Sequence, residues 1–297
     1  IAAFISLKKY QYTIKNLFLD RDSKRTQDNE TSERSLQFSQ KIEIQNLGFK
    51  YKTDLPFVFK NVTSTIKKGQ RIGLIGPSGA GKTTFFNLIT GFHAVDGGKV
   101  TFKDVDITNK SPHEISRLGL VRTFQKTRIF PEMTILENLI VAPQDNIGEG
   151  FFDPLFFRKK MKKDLKKKTK KAIDVLKEMD LYDQRDEYAK NLPYGEQKRL
   201  EMMRAVMTSQ DLLLLDEPTA GVSQDYTESM KQYIKRLKEE QGITFLIIEH
   251  KMSFMMELAE YLYVIDHGKL IASGTPEEIK NDKRVIKAYL GSDVENK

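Results

Sequence analysis

A glycine-rich segment between an apolar strand pattern and a helix pattern constrains the fold of this chain more than any other feature. It follows the apolar run Arg71–Ile75 and precedes a helix-like stretch over residues 84–90. The pattern is typical of a phosphate-binding loop (P-loop), whose backbone N–H groups all turn inward to cradle phosphate. Lys82 is spaced to reach the β- and γ-phosphates, and the Thr83 hydroxyl to bind Mg²⁺. The residues that we expect around the phosphates are Gly76, Pro77, Ser78, Gly79, Ala80, Gly81, Lys82, Thr83 and Thr84.

A second apolar run ends in two acidic residues, which is what a P-loop predicts. Leu212–Leu215 leads directly into Asp216 and Glu217. The first carboxylate can hold Mg²⁺ through water, and the second can polarise an attacking water molecule. Together with the P-loop, this pair predicts a site at which water is activated next to bound phosphate.

Strand patterns alternate with helix patterns along most of the chain. Alternation begins at Ile42 and Ile44, and Val62–Ile66 is a β-branched run. Leu212–Leu215 and Ile243–Ile248 are continuous apolar runs, which suit strands buried on both faces. The order of the patterns predicts an α/β fold with a parallel sheet.

Helix-start signals mark the boundaries of several helices. Ser111 with Glu114, and Thr134 with Glu137, have the spacing of a capping box, and Pro112 suits the first helical position. The stretch from about 134 to 206 is mostly helical and interrupts the alternation, so it is predicted to be an inserted helical subdomain.

Residue usage excludes several classes of site. The chain has no Cys, which excludes a disulfide framework, a thiolate metal site and a Cys nucleophile. Its four His residues never stand four positions apart, so a zinc-protease motif on a helix is excluded as well.

The net charge of +8 is concentrated in one run of residues. Arg158–Lys171 holds ten Lys and Arg and one Asp, a local charge of +9, so the remainder of the chain carries −1. A protein that is basic in one segment only is not predicted to bind nucleic acid. The run is either the solvated face of a long helix or a contact with anionic lipid headgroups, and its role stays open at this stage.

The first forty residues differ in composition from the rest of the chain. The apolar residues 1–7 precede Lys8 and Lys9, an order typical of the cytoplasmic end of a membrane helix, although an amphipathic helix or a trimmed start is an alternative. Residues 20–40 are polar and have the composition of a linker. No apolar run approaches the roughly 20 residues needed to span a bilayer.

Further motifs stand between and around the P-loop and the acidic pair Asp216 and Glu217. Leu192–Gln197, with the sequence Leu-Pro-Tyr-Gly-Glu-Gln, precedes a helix pattern and resembles the signature motif of ATP-binding cassette (ABC) proteins. Four more segments are similar to motifs of that family, in the family's order: the adenine-stacking Tyr51, the Q-loop Gln125, the D-loop Ala220–Ser223 and the switch His250.

The resemblance implies an architecture. It predicts a P-loop NTPase fold, with a RecA-like parallel sheet core, an antiparallel β portion towards the N-terminus and an inserted helical subdomain. The ABC ATPase domain would cover 41–291, with the core at about 41–133 and 207–275 and the helical subdomain at about 134–206. Residues 1–40 would be a linker or the tail of a fused permease, and 276–297 a C-terminal helical tail.

The resemblance also implies ATP and Mg²⁺ as cofactors, with a role for each motif. The catalytic residues would be Glu217, His250, Gln125 and Lys82. Nucleotide contacts would come from the P-loop residues 76–84, Tyr51, Gln125 and Asp216, and from a second copy through Tyr194, Gly195 and Glu196. The implied ligands of Mg²⁺ are Thr83, Gln125 and Asp216.

Three positions depart from the family pattern, and one of them, Lys251 after the switch histidine, stands where Asp is usual and has no functional consequence that we assign. Pro193 stands where the signature usually has Ser, and it offers neither a hydroxyl nor an N–H to a partner's γ-phosphate. The Gly195 amide and the N-terminus of the following helix must then carry more of that contact. Ser223 stands where the D-loop commonly has Asp or Asn.

Details of the motifs resemble the ATPases of branched-chain amino acid importers. They include Arg122–Gln125, Phe130–Thr134 and the tail Arg284–Gly291. This implies an ATP-hydrolysing subunit for import of branched-chain or other amino acids, with urea or short-amide importers and the lipopolysaccharide-export ATPase as alternatives. Expected partners are a second ABC ATPase domain, transmembrane permease subunits and an extracytoplasmic substrate-binding protein. The ATPase itself would lie at the cytoplasmic face of the cell membrane, as a peripheral subunit or fused to a permease.

Two alternatives come from other protein classes. A soluble ABC protein of translation or DNA repair would carry two cassettes or a long inserted coiled coil, and this chain has one cassette and no sustained heptads. A kinase-type P-loop protein would lack the signature motif and the switch histidine. The transported substrate and the homo- or heterodimeric state are left open by the sequence.

Overall fold

Strands and helices alternate along the chain. The computed structural model describes residues 41–52, 54–124, 127–143, 158–208 and 211–294, so the predicted segment 1–40 and Gln125 lie outside the described residues. The strands are β1 (Lys41–Phe49), β2 (Phe59–Lys67), β3 (Arg71–Ile75), β4 (Gly97–Phe102), β5 (Val105–Asp106), β6 (Leu120–Arg122), β7 (Leu212–Asp216), β8 (Thr244–Ile248), β9 (Tyr261–Asp266) and β10 (Lys269–Gly274).

In the described residues, helices follow β3 and each later strand except β4 and β9. The α-helices are α1 (Lys82–Ile89), α2 (Pro112–Arg117), α3 (Ile135–Ile140), α4 (Arg158–Glu178), α5 (Tyr194–Thr208), α6 (Gln224–Gln241), α7 (Met252–Leu258), α8 (Pro276–Asn281) and α9 (Lys283–Val294), and a 3₁₀ helix covers Ala189–Asn191. The consecutive helices α3, α4 and α5 occupy the stretch predicted to be helical.

The strand that leads into the P-loop lies inside a mostly parallel sheet. In the described part of the chain this sheet has six strands in the order β10-β9-β3-β8-β7-β6. β3 pairs in parallel with both β8 and β9, and β7 pairs in parallel with β8 and β6. β10 is the outermost strand and pairs antiparallel with β9. The carboxyl ends of β3, β7 and β8 therefore meet at one edge of the sheet, the place where ligands bind in open α/β sheets.

A second, antiparallel sheet forms the N-terminal β portion. Among the described residues it has four strands in the order β2-β1-β4-β5. Each neighbouring pair is antiparallel, and β1 is shared between β2 and β4.

Alternate residues of the parallel strands enter two hydrophobic cores. Leu213 and Leu215 pack with apolar residues of α4 and α5. Leu212 and Leu214 pack on the opposite face with α1 and with the inner residues of the antiparallel sheet. Because side chains alternate along a strand, a continuous Leu run fills both cores at once.

The structure confirms the predicted α/β class and the predicted helix starts. Capping boxes are formed by Ser111 with Glu114 and by Thr134 with Glu137. The exact subdomain boundaries stay a prediction. Among the described residues, every helix is too short or too polar to cross a bilayer.

Candidate nucleotide site

The P-loop is held open by backbone conformations that require glycine. Gly76 has a φ of +156°, and a Cβ there would lie 1.9 Å from the carbonyl oxygen of Ile265. Gly81 caps α1 with a φ of +103°, and a Cβ there would meet the Phe59 ring at 2.9 Å. The glycine spacing seen in the sequence thus has a steric cause in the fold.

Lys82 folds back over the loop. Its Nζ donates to the carbonyl oxygens of Gly76 and Pro77, each at 2.9 Å, and the residue is 5% exposed. Burial lowers the pKa of Lys82, while the charges of Glu217 and Asp216 act in the opposite direction. The ammonium group is therefore bound by the loop carbonyls and lies within electrostatic reach of both acidic residues.

Asp216 ends β7 with one carboxylate oxygen bound and the other free. The residue is 1% exposed, and its Oδ2 accepts a hydrogen bond from Arg122 Nη2 at 2.7 Å. Its Oδ1 is buried without a hydrogen-bond partner in the structure. Burial raises the pKa of Asp216 above its usual range, and the hydrogen bond from Arg122 opposes this shift.

Arg122 ties three elements of the site together, a role that was not predicted. Besides Asp216, it donates from Nη1 to Asn87 Oδ1 on α1 at 2.6 Å. Its guanidinium lies 5.3 to 5.9 Å from the ring centroids of three phenylalanines. They are Phe86, Phe92 and Phe124. The available signal was a cationic residue at the end of β6, the strand that pairs with the acid-bearing β7.

Glu217 and His250 form a pair at the same edge of the sheet. His250 Nε2 lies 3.1 Å from Glu217 Oε1, and the two side chains are 47% and 14% exposed. Glu217 has a φ of +51°, an uncommon backbone conformation for a residue other than glycine. Its N–H donates to the Ile248 carbonyl at 2.9 Å, which fixes the turn after β7 against β8. The predicted water-polarising residue and the predicted switch histidine are thus adjacent.

The buried carboxylate of Glu249 binds the backbone next to Glu217 and His250, a role that the sequence did not predict. It is 3% exposed, and Oε1 accepts from the Thr219 N–H at 2.9 Å and from the Thr219 hydroxyl. Its Oε2 accepts from the N–H groups of His250 at 2.7 Å and Lys251 at 3.2 Å. This carboxylate joins the segment after Glu217 to the segment that carries His250.

Tyr51 lies beside the start of the P-loop helix. Its hydroxyl is 2.7 Å from Thr84 Oγ1, so the predicted nucleotide contacts Tyr51 and Thr84 are neighbours. The ring is edge-on to Phe49 at 5.1 Å and to His93 at 6.1 Å, and the residue is 56% exposed. An exposed aromatic face next to the P-loop is available for stacking on a base.

The segment on either side of Gln125 is attached to α5. The N–H groups of Phe124 and Arg128 both donate to Glu201 Oε1 at 3.3 Å. Glu201 is 6% exposed, and burial raises its pKa. Although Gln125 lies outside the described residues, the residues that flank it are thus bound to the helix that begins at the signature motif.

Tyr194, Gly195 and Glu196 begin α5 on the helical part of the chain. Tyr194 is 48% exposed, and a Cβ at Gly221 would lie 3.4 Å from its ring. Tyr194 therefore lies next to the D-loop of this chain. Within the D-loop, Ser223 caps α6, where its Oγ accepts from the Tyr226 N–H at 3.3 Å.

The C-terminal helix α9 reaches the P-loop. Burial raises the pKa of Tyr289 to about 12, and a hydrogen bond between its hydroxyl and the backbone of Gly76 opposes the rise. Val285, one helical turn earlier, is 5% exposed and packs in the core next to the helical subdomain. Tyr289 was not predicted to belong to the site.

The oxygen atoms of Asp216 and Thr83 are ligands of the kind that Mg²⁺ prefers. Asp216 offers one unpartnered carboxylate oxygen, and Thr83 is exposed at the start of α1. No cluster of three or more His, Asp or Glu suited to a metal occurs in the ranges that the structure describes. Mg²⁺ keeps several waters and binds through one or two carboxylates plus phosphate, so it needs no such cluster.

Comparisons with known proteins agree with this geometry. A family model described as ABC transporter matches residues 59–220, and one described as branched-chain amino acid ATP-binding cassette transporter matches residues 269–295. The high-affinity branched-chain amino acid transport ATP-binding protein LivG of Escherichia coli K12 is 38% identical over 231 residues, which cover 78% of this chain and 91% of LivG. The branched-chain amino acid transport ATP-binding protein BraF of Pseudomonas aeruginosa is 40% identical over 230 residues, which cover 77% of this chain and 90% of BraF.

Solved structures show the same fold. A nucleotide-free ATP-binding cassette from an ABC transporter matches with a TM-score of 0.71 and 37% identity, over 84% of this chain and 99% of that one. The cassette MJ1267 in its ADP conformation matches with a TM-score of 0.71 and 34% identity, over 85% and 99%. The predicted resemblance is confirmed by these matches: the chain belongs to the ABC transporter family, as one of its ATP-binding and ATP-hydrolysing proteins.

Proposed function

We propose that this chain powers an importer of branched-chain amino acids. The observation that carries the substrate class is the match of residues 269–295 to cassettes of that transport branch, supported by the relatives LivG and BraF. In the structure these residues include α9, whose Tyr289 bonds to Gly76 of the P-loop. The segment typical of the branch is therefore in contact with the nucleotide site.

Each side chain at the sheet edge has a separate task in hydrolysis. The P-loop N–H groups and Lys82 would bind the β- and γ-phosphates, with Lys82 exchanging its two loop carbonyls for phosphate oxygens. Mg²⁺, when bound, neutralises phosphate charge, and Thr83, Asp216 and Gln125 would hold it. Asp216 keeps Oδ1 available for this purpose because Arg122 engages only Oδ2.

Glu217 is the proposed group that activates water. A carboxylate at this position can accept a proton from water as the water attacks the γ-phosphorus, while the bond from phosphorus to the β–γ bridging oxygen breaks and ADP leaves with that oxygen. His250, 3.1 Å away, would orient Glu217 and steady the γ-phosphate. Glu249 would keep His250 in place through its bonds to backbone N–H groups.

A second copy of the cassette would complete each site. Tyr194 and Gly195 would reach the nucleotide of the partner, together with Glu196. Since Pro193 has no hydroxyl, the partner's γ-phosphate would be met by the Gly195 amide and the positive end of the α5 dipole. Closure around ATP and opening after hydrolysis would move the transport partner.

The remaining partners follow from the transport role. We infer transmembrane permease subunits and an extracytoplasmic substrate-binding protein, with the cassette at the cytoplasmic face of the membrane. The segment 1–40 would be a linker or the end of a fused permease. The cassette would comprise 41–291, divided into core, helical subdomain and C-terminal tail as the family resemblance implies.

Uptake of labelled substrates tests the substrate class. Cells that carry the native transporter but lack this chain should lose most leucine uptake, and the wild-type chain should restore it. Glu217→Gln should fail to restore uptake while it is produced at the same level. If leucine uptake does not depend on the chain and urea or short-amide uptake does, the proposed substrate class is wrong and the alternative branch is supported.

A further inference from the structure

We propose that the first half of α4 presents a stripe of lysines that binds the surface of an anionic lipid bilayer. The lysine stripe consists of Lys162, Lys163, Lys166, Lys167 and Lys170. None of these lysines is among the residues assigned to the nucleotide site, and the proposal does not depend on which substrate is transported.

Two other lysines of the basic run are engaged within the protein. Lys168 Nζ forms an ion pair with Asp164 Oδ2 at 2.8 Å. Lys171 Nζ donates to the carbonyl oxygens of Val206 and Met207, at 3.3 and 3.5 Å, where it neutralises the negative end of α5. These contacts engage both lysines, and the single acidic residue of the run, within the protein.

The five lysines of the stripe have no such partners among the described residues. All are exposed, and in the part of the chain that the structure describes none forms a hydrogen bond or an ion pair. At about 100° per residue, their positions fall within an arc of about 140° and along about 12 Å of helix. The opposite side of α4 is apolar and packs in the core, through Ala172, Val175, Leu176 and Met179.

The chemistry of the stripe favours a lipid surface over other anions. It contains no Arg, whose planar fork suits bidentate recognition, and lysines act as compact point charges. It contains no aromatic side chain on which nucleic acid bases would stack.

The attraction of such a stripe to a bilayer is large enough to measure. A lysine near an anionic membrane surface strengthens binding roughly fivefold, and the effect is screened by salt. Five lysines on one face, with no acid between them, should therefore produce binding that requires anionic lipid and falls with ionic strength.

Vesicle flotation with the full chain tests the proposal. The probes are vesicles of phosphatidylcholine with phosphatidylglycerol and vesicles of phosphatidylcholine alone. One variant changes the five stripe lysines to Gln, and the control changes five exposed lysines elsewhere to Gln. The control positions are Lys67, Lys269, Lys280, Lys283 and Lys287.

The stripe variant should lose at least about tenfold of its binding to anionic vesicles, whereas the control, with the same net charge, should lose little. Both variants should retain ATP hydrolysis, which shows that the cassette is folded. Equal losses in both variants, equal binding to neutral vesicles, or unchanged binding of the stripe variant would overturn the proposal. Binding of single-stranded DNA or an acidic peptide without vesicle binding would overturn it as well.

Discussion

Arg122 donates from Nη2 to Oδ2 of Asp216 at 2.7 Å, and the two side chains are only 6% and 1% exposed. The bond joins the end of β6 to the acid at the end of β7. Because Arg122 also bonds to Asn87 on the P-loop helix, one guanidinium connects the two halves of the phosphate site.

Removal of Arg122 should destabilise the cassette, because the Asp216 carboxylate loses its hydrogen-bond donor. Arg122→Ala leaves a buried aspartate unpaired, which costs about 3–5 kcal/mol of unfolding free energy. Urea denaturation should show this loss, while Arg117→Ala, at an exposed arginine of α2, should stay within about 0.5 kcal/mol of wild type. An equal effect in both variants would contradict the structural role of the bond.

Tyr289 should strengthen nucleotide binding through Gly76. Tyr289→Phe removes the hydroxyl that bonds to the loop backbone while it keeps the ring in place. Loss of one such bond corresponds to about 1 kcal/mol, or roughly a fivefold increase in the Kd for ATP. Titration with a fluorescent ATP analogue measures the change. Tyr188→Phe, at a tyrosine 49% exposed, is the matched control, and a similar weakening there would refute the assignment.

Glu249 should affect turnover more than ATP binding. Glu249→Ala removes the acceptor of the Thr219 and His250 N–H groups, so the Glu217–His250 pair loses its support. Steady-state hydrolysis should show kcat reduced about tenfold or more, with a smaller change in KM. Glu239→Ala, at an exposed glutamate of α6, should leave both constants unchanged. A variant that lost ATP binding and kept its turnover at saturation would contradict this account.

Glu201 should hold the segment around Gln125 to α5. Glu201→Ala should increase the hydrogen-exchange rate of the Phe124 and Arg128 amides, since both donate to its carboxylate. Glu201→Gln keeps one acceptor oxygen and should cause a smaller increase. Exchange rates that are the same in wild type and in both variants would show that Glu201 does not restrain this segment.

The parts of the site that the sequence predicted are those with local causes. The P-loop follows from glycines that no side chain could replace within the same short loop, as at Gly76. The capping box of Ser111 and Glu114 joins residues three positions apart. In both cases the interacting groups are neighbours along the chain, so their spacing is visible without a fold.

The groups that were missed act over long separations. Arg122 and Asp216 are 94 residues apart, Glu201 is 77 residues from Phe124, and Thr219 is 30 residues from Glu249. These contacts exist because β6, β7 and β8 are neighbours in the parallel sheet and because α5 packs beside the segment after β6. Strand order and helix packing bring such residues together, and the periodicity of the sequence reports neither.

The basic run was located by the sequence but was not resolved into parts. Composition assigns the same charge to every lysine between 158 and 171. The structure separates Lys168 and Lys171, which have partners in the protein, from the lysine stripe, which has none among the described residues.

The role proposed for Glu217 is to activate the water that attacks ATP bound at the P-loop. Single-turnover hydrolysis of ATP by the Glu217→Gln variant, with ATP binding measured in parallel, isolates this role. ATP binding should be retained, ATP-bound dimers should accumulate, and the hydrolysis rate should fall by about 10²–10⁴-fold. Hydrolysis at a near-normal rate by a variant that binds ATP normally would show that Glu217 does not activate the water.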